Sequence, residues 1–156
     1  MLKRGLFFLG ILLFLFSCEE SEPTNEELMV EAINNGDTVE VARLIAEGVD
    51  LNYMVPGNGC NKPLMTYAYV SGEPECGNLI VEAGANVDLR NSPGPTAIFN
   101  ASCQGRSDDV SFLIAHGADV NLTVTWTTGS VTALDRARAN GHTDIEAMLI
   151  AAGAVE

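Results

Sequence analysis

The sequence predicts an all-α solenoid of four stacked helix pairs joined by hairpin-like loops, and three regularities predict it. Glycines stand twelve positions apart in four pairs: Gly36 and Gly48, Gly72 and Gly84, Gly105 and Gly117, Gly141 and Gly153. Successive pairs start 36, 33 and 36 residues apart. An alanine lies four residues before the first glycine of each pair (Ala32, Ala68, Ala101, Ala137), and Met29, Met65, Ile98 and Leu134 stand three positions further back. Between the glycines, Leu44-Ile45 recurs as Ile80-Val81, Leu113-Ile114 and Leu149-Ile150. A fixed period near 33 residues marks one small unit stacked on itself, since a single unit of this size cannot bury its apolar face alone.

Residues 1–17 read as targeting rather than fold. Lys3 and Arg4 precede an apolar run over residues 6–16, the layout of a secretory signal. That run is far shorter than the roughly 20 residues a spanning helix needs. The following Leu15-Phe16-Ser17-Cys18 resembles the bacterial lipoprotein processing box, which implies cleavage before Cys18 and acylation of its thiol. Residues 18–25 then form an acidic, proline-containing tether, and the repeat domain occupies residues 26–156, with units over about 26–59, 60–92, 93–128 and 129–156.

Thr24 followed by Glu27 is a capping box that starts the first helix. In every unit, apolar residues three or four apart before the first glycine predict one short helix, and the run before the second glycine predicts another. Each glycine falls just past a helix end, where a left-handed residue costs least without a side chain. The alanine column marks where helices approach most closely. In unit two, Pro74 and Gly77 weaken the second helix. In unit four, Arg138 and Glu146 replace the pairs Ile33 and Val41, Tyr69 and Gly77, Ser102 and Val110, so unit four reads as a polar terminal cap and the chain as a monomer.

These columns resemble ankyrin repeats. The fourth unit, TALDRARANGHTDIEAMLIAAGA, follows that family's T-P-L-H-x-A opening and G-H…L-L…G-A continuation, and the third ends in GADVN. The chain departs from the family where the first helix carries a histidine: Val30, Thr66, Phe99 and Asp135 stand there. The resemblance implies a protein-binding scaffold.

Composition narrows the partner. The 21 acidic residues all lie beyond the leader, so its removal with Lys3 and Arg4 makes the net charge of −13 more negative still. Phosphate backbones need clustered Lys and Arg, which disfavours a nucleic-acid partner. No cofactor is expected, because no metal-ligand spacing, phosphate loop or nucleophile elbow occurs. His116 and His142 flank helix-ending glycines, and Asp108-Asp109 opens a helix, where carboxylates favour the dipole. An enzyme is therefore not expected. Cys76 and Cys103 sit at helix ends on one edge of neighbouring units, which leaves a disulfide between them open alongside three separate thiols; Cys60 lies at the opposite edge.

The connections over residues 48–63 and 117–132 are three residues longer than that over residues 84–96. Insertions in repeat arrays fall in loops on one face, often the binding face. The candidate contacts are Tyr53 and Met54, with Val55, on the first long loop and Trp126, with Val124, on the second; Tyr67, Asn100 and Arg136 occupy matching positions on the first helices, on the same concave side. The reading is a lipid-anchored, extracytoplasmic protein-binding module in a bacterial cell envelope, in the periplasm or at the cell surface. The alternatives are a structural subunit of an envelope complex and an immunity or accessory protein for an exported effector.

Overall fold

A computed structural model describes residues 22–57, 60–91, 94–126 and 129–155, with the backbone but not the side chain of Trp126. The leader, Cys18 and the start of the tether lie outside the described residues. Four helix pairs follow one another: α1 (Asn25–Asn34) and α2 (Thr38–Ala46), α3 (Leu64–Ser71) and α4 (Pro74–Glu82), α5 (Ala97–Gln104) and α6 (Ser107–Ala115), α7 (Ala133–Asn140) and α8 (Thr143–Ala151). Two small antiparallel hairpins interrupt them. β1 (Met54–Val55) pairs with β2 (Lys62–Pro63) before α3, and β3 (Val124–Trp126) pairs with β4 (Gly129–Val131) before α7.

The capping box at Thr24 and Glu27 starts α1, and a second one, Thr132 with Asp135, starts α7. Gly72 and Gly105 end α3 and α5 at φ 93° and 74°, each sending its N–H back to the alanine of its unit, Ala68 or Ala101. The two helices of a pair pack on each other, and each first helix packs on the first helix of the next unit. Ala32, Ala68, Ala101 and Ala137 are buried along that seam with Met29, Met65, Ile98 and Leu134. Among the second helices, α2 packs on α4 and α6 on α8.

The GADVN-type endings form a ladder that the sequence shows only as a repeated string. Asp50, Asn86 and Asp119 each bond the N–H two residues on, closing an Asx turn. The second polar residue then accepts from the next unit: Asn52 from Asn86 N–H, Asp88 from Asp119 N–H and Asn121 from Val155 N–H, each at 2.9 Å. Every loop is thereby tied to its successor.

In units two to four the residue after the first glycine reaches back to the preceding unit. Glu73 lies over Gly36, where a Cβ would stand 2.7 Å from its carboxylate. Arg106 donates to the Tyr69 carbonyl at 2.7 Å. The His142 ring covers Gly105, with Nε2 3.4 Å from the Cys103 carbonyl.

Unit two's second helix is intact, a correction to the expected weakening. Pro74 occupies its first turn, where the missing N–H costs nothing. Gly77 is buried beneath the Tyr69 ring, and a Cβ there would come within 2.9 Å of the ring carbons. The glycine makes room for the largest side chain of the core.

The four column pairs show why unit four differs. Ile33, Val41, Tyr69, Ser102 and Val110 are all fully buried, whereas Arg138 and Glu146 are half-exposed and paired at 2.8 Å. Replacing both with leucine turns an ion pair into an apolar end surface. The expected outcome is concentration-dependent self-association in light scattering with an unchanged helical circular-dichroism spectrum; an unchanged monomer would remove the capping role.

Candidate functional site

The concave side is built from the first helices and the two hairpins, and the structure places the sequence candidates unequally on it. Tyr67 on α3 is half-buried, and its hydroxyl donates to Asn34 Oδ1 of unit one at 2.7 Å. Arg136 on α7 lays its guanidinium 5.9 Å from the centre of the Phe99 ring in unit three. Both side chains lean on the preceding unit, so they brace the stack as well as facing the groove. Asn100 donates its amide to the Thr96 carbonyl of its own helix at 3.1 Å, and its remaining edge faces a cavity between units two and three.

The first hairpin departs from expectation. Tyr53 is not an exposed loop-tip aromatic: it sits half-buried against the core, donating its N–H to Asp50 and accepting from the Leu64 N–H at 2.9 Å. Met54 is half-buried and Val55 buried. The reason is that the hairpin folds onto α3, the helix that follows it, rather than standing off it. In the second hairpin Val124 is likewise buried, while Trp126 pairs with Gly129 at the end of β3 nearest the turn; its side chain lies outside the described residues. Arg90, from the short connection, donates to the Thr123 carbonyl at 2.5 Å and ties that loop to the long one.

Cys76 and Cys103 are not bridged. All three described cysteines are free thiols. Cys76 is wholly buried in unit two, and burial pushes its thiol pKa up. Cys103 turns the other way, toward unit four, where the Asn140 amide donates to its carbonyl at 2.7 Å and lies 3.6 Å from its sulfur. The direction in which each side chain turns was not legible in the sequence. Thiol counting on denatured, unreduced protein should accordingly find Cys60, Cys76 and Cys103 all reactive, and a missing pair would restore the bridge.

One polar cluster escaped the sequence reading. Asp109 does open α6, and it is also buried and 3.1 Å from Arg106 Nε. Arg106 in turn lies 5.9 Å from the Tyr69 ring centre, and the Tyr69 hydroxyl donates to Asn78 at 2.5 Å. Burial raises the Asp109 pKa despite the lowering effect of Arg106; burial, with the nearby Asp109 charge, also raises that of Tyr69. The signal was an arginine three residues before an aspartate beside an otherwise repeated glycine. Among the described residues no group of three or more His, Cys, Asp or Glu is placed to hold a metal. His116 stacks on Phe112 with ring centres 4.0 Å apart, at a helix end.

These features define a repeat scaffold whose variable side chains sit on a braced concave surface. Residues 64–155 match the family model for ankyrin repeats in three copies. The chain belongs to the ankyrin-repeat family, whose repeats are protein–protein interaction modules. Among curated proteins it is similar to the probable E3 ubiquitin-protein ligase XBOS32 of Oryza sativa subsp. japonica, at 33% identity over 135 residues, 86% of this chain and 26% of that one. It is also similar to protein phosphatase 1 regulatory subunit 27 of Mus musculus, at 33% identity over 96 residues, 61% of this chain and 60% of that one. SH3 and multiple ankyrin repeat domains protein 1 of Homo sapiens is 30% identical over 98 residues, 63% of this chain and 4% of that one. The chain thus spans about a quarter of the rice ligase and three fifths of the mouse subunit.

The capping box that sets the start of α7, and so the position of Arg136, is sensitive to pH. The Thr132 backbone N–H, 2.8 Å from Asp135, holds this carboxylate below its ordinary range, helped by the Thr132 hydroxyl. A depressed folded pKa gives stability that is present above the unfolded value, about 3.9, and lost as pH falls through the folded one. Asp135→Ala should therefore cost roughly 0.3 to 1 kcal/mol at neutral pH, and the difference in melting temperature from wild type should shrink once the pH passes below that range. A difference that stays constant into acid would detach the carboxylate from the cap.

Proposed function

We propose that this chain is a lipid-anchored, extracytoplasmic binding module that holds a protein partner on its concave and hairpin face. The observation that carries the reading is the surface itself: Tyr67, Asn100 and Arg136, one from each of three successive units, fall in register along the first helices and are already held in place by Asn34, Thr96 and Phe99. Side chains braced in the free protein lose little freedom on binding, which favours affinity. Family membership supports a protein partner, and a net charge of −13 favours a basic one. The anchor reading rests on Lys3, Arg4, the apolar run and Leu15-Phe16-Ser17-Cys18, with residues 18–25 as the tether, and places the domain in the periplasm or at the cell surface. Several acyl chains on Cys18 would hold it there firmly.

Two measurements test this reading. Metabolic labelling with a fatty-acid analogue should mark the wild type and not Cys18→Ala; an unlabelled wild-type band rejects the anchor. For the binding face, capture from envelope extracts should be weakened by Arg136→Ala and Trp126→Ala, each by about 1 to 3 kcal/mol if they anchor the contact, with little change in melting temperature for Trp126→Ala and a small decrease for Arg136→Ala, whose guanidinium also leans on the Phe99 ring. Tyr53→Ala, in contrast, should lower the melting temperature, because Tyr53 packs against the core. Normal capture by the Arg136 and Trp126 variants would move the recognition site off this face.

A further inference from the structure

The second helices of units one and two, α2 and α4, border an open groove of about 540 Å³ that no residue of a first helix or hairpin lines. Val39 and Ala42, both exposed, line it from α2, and the half-buried Leu79 lines it from α4. Glu75 and Glu82, also exposed, stand on the α4 rim one turn before and one turn after Leu79. Among the described residues neither carboxylate makes an ion pair, and α4 contains no basic residue. Arg43, the basic residue of α2, is held by Glu40 and Glu47 of its own helix. The groove therefore joins an apolar floor to two carboxylates that the protein itself leaves without a cation.

Val39 is a separate observation that points the same way. At 79% exposure it is the most exposed large apolar side chain among the described residues. It stands three residues after the first glycine of its unit, where the other units carry Glu75, Asp108 and Asp144. A carboxylate in a first turn favours the helix dipole, so the valine gives up that stabilisation and sets apolar surface in water. Neither change serves the fold.

We infer that this groove docks a cationic amphipathic helix of a partner protein, laid along α2 and α4. Charge complementarity and spacing define the occupant. A helix in a groove anchors through apolar side chains one turn apart, and these cover Val39, Ala42 and Leu79. Lysines or arginines seven residues apart on the same helix, about 10 Å, match Glu75 and Glu82. A second copy of this chain is a poor fit, because a net charge of −13 repels itself. The assignment does not depend on what the concave side holds.

General attraction between an acidic chain and a cationic peptide is the competing explanation, and one substitution separates the two. Val39→Asp restores the carboxylate of the column and makes the chain more negative, so attraction by net charge would tighten binding, whereas loss of the apolar floor loosens it. A fluorescein-labelled helical peptide, with leucines one turn apart and flanking lysines seven residues apart, is titrated into the full-length chain and followed by fluorescence anisotropy. The dissociation constant should rise severalfold for Val39→Asp and for the double variant Glu75→Gln, Glu82→Gln. It should stay unchanged for Asp108→Asn, an exposed carboxylate of the same column on α6, and for Arg136→Ala on the concave side. A twin peptide with glutamate for lysine should not bind, and circular dichroism should match wild type throughout. Unchanged or tighter binding to Val39→Asp, or an equal loss with Asp108→Asn, overturns the site. Self-association of the wild type in sedimentation that Val39→Asp abolishes would give the groove to a second copy and overturn the partner helix.

Discussion

The closest approach of the first helices governs the rest of the molecule. Ala32, Ala68, Ala101 and Ala137 leave no room beyond a methyl group, so each first helix lies against the next, and the methionine, isoleucine or leucine one turn back fills the seam. A larger residue at any of the four would push two units apart and loosen every contact made across that boundary. Those contacts are short in reach: the Asx ladder, the residue after the first glycine, and the side chains of Tyr67 and Arg136 all act between adjacent units. Stability in such an array is a sum over neighbours, which is why the spacing set by a methyl group matters along its whole length.

The concave surface inherits its rigidity from this arrangement. Tyr67 spans units one and two, Arg136 spans three and four, and Arg90 ties the short connection to the long one. The hairpins add to it by folding inward. Val55 and Val124 are core residues, so the extra length of the two long connections goes partly into packing and only partly into exposed contour. A scaffold that presents polar side chains in fixed positions is suited to recognising one shape rather than adapting to many.

The repeat, the helix pairs, the helix-ending glycines and the alanine seam were legible because each is periodic, and periodicity is a property of the chain alone. The polar pair of Arg138 and Glu146 was legible for the same reason, as a break in a column. What the sequence withheld is direction. Cys76 is buried in the core while Cys103 turns toward Asn140 of unit four, and Tyr53 sits on a lengthened loop yet packs against the core. Gly77 looked like a flaw in a helix because its reason, the Tyr69 ring, comes from another helix. Asp109 looked like an ordinary helix opener because burial beside Arg106 depends on where α6 lands. Each miss involves two elements at once, which no single column records.

The residue after the first glycine differs in every unit that has a predecessor: a carboxylate at Glu73, a guanidinium at Arg106, an imidazole at His142. Among the described residues only the boundary between units two and three sets an aromatic ring, Tyr69, beside the guanidinium of Arg106, which pairs with Asp109 of its own unit. The units therefore share a backbone plan without being interchangeable parts. Shuffling two of them would bury a guanidinium against the wrong surface, so the array carries its own running order, and a fold that looks modular in outline is assembled like a set of keyed joints.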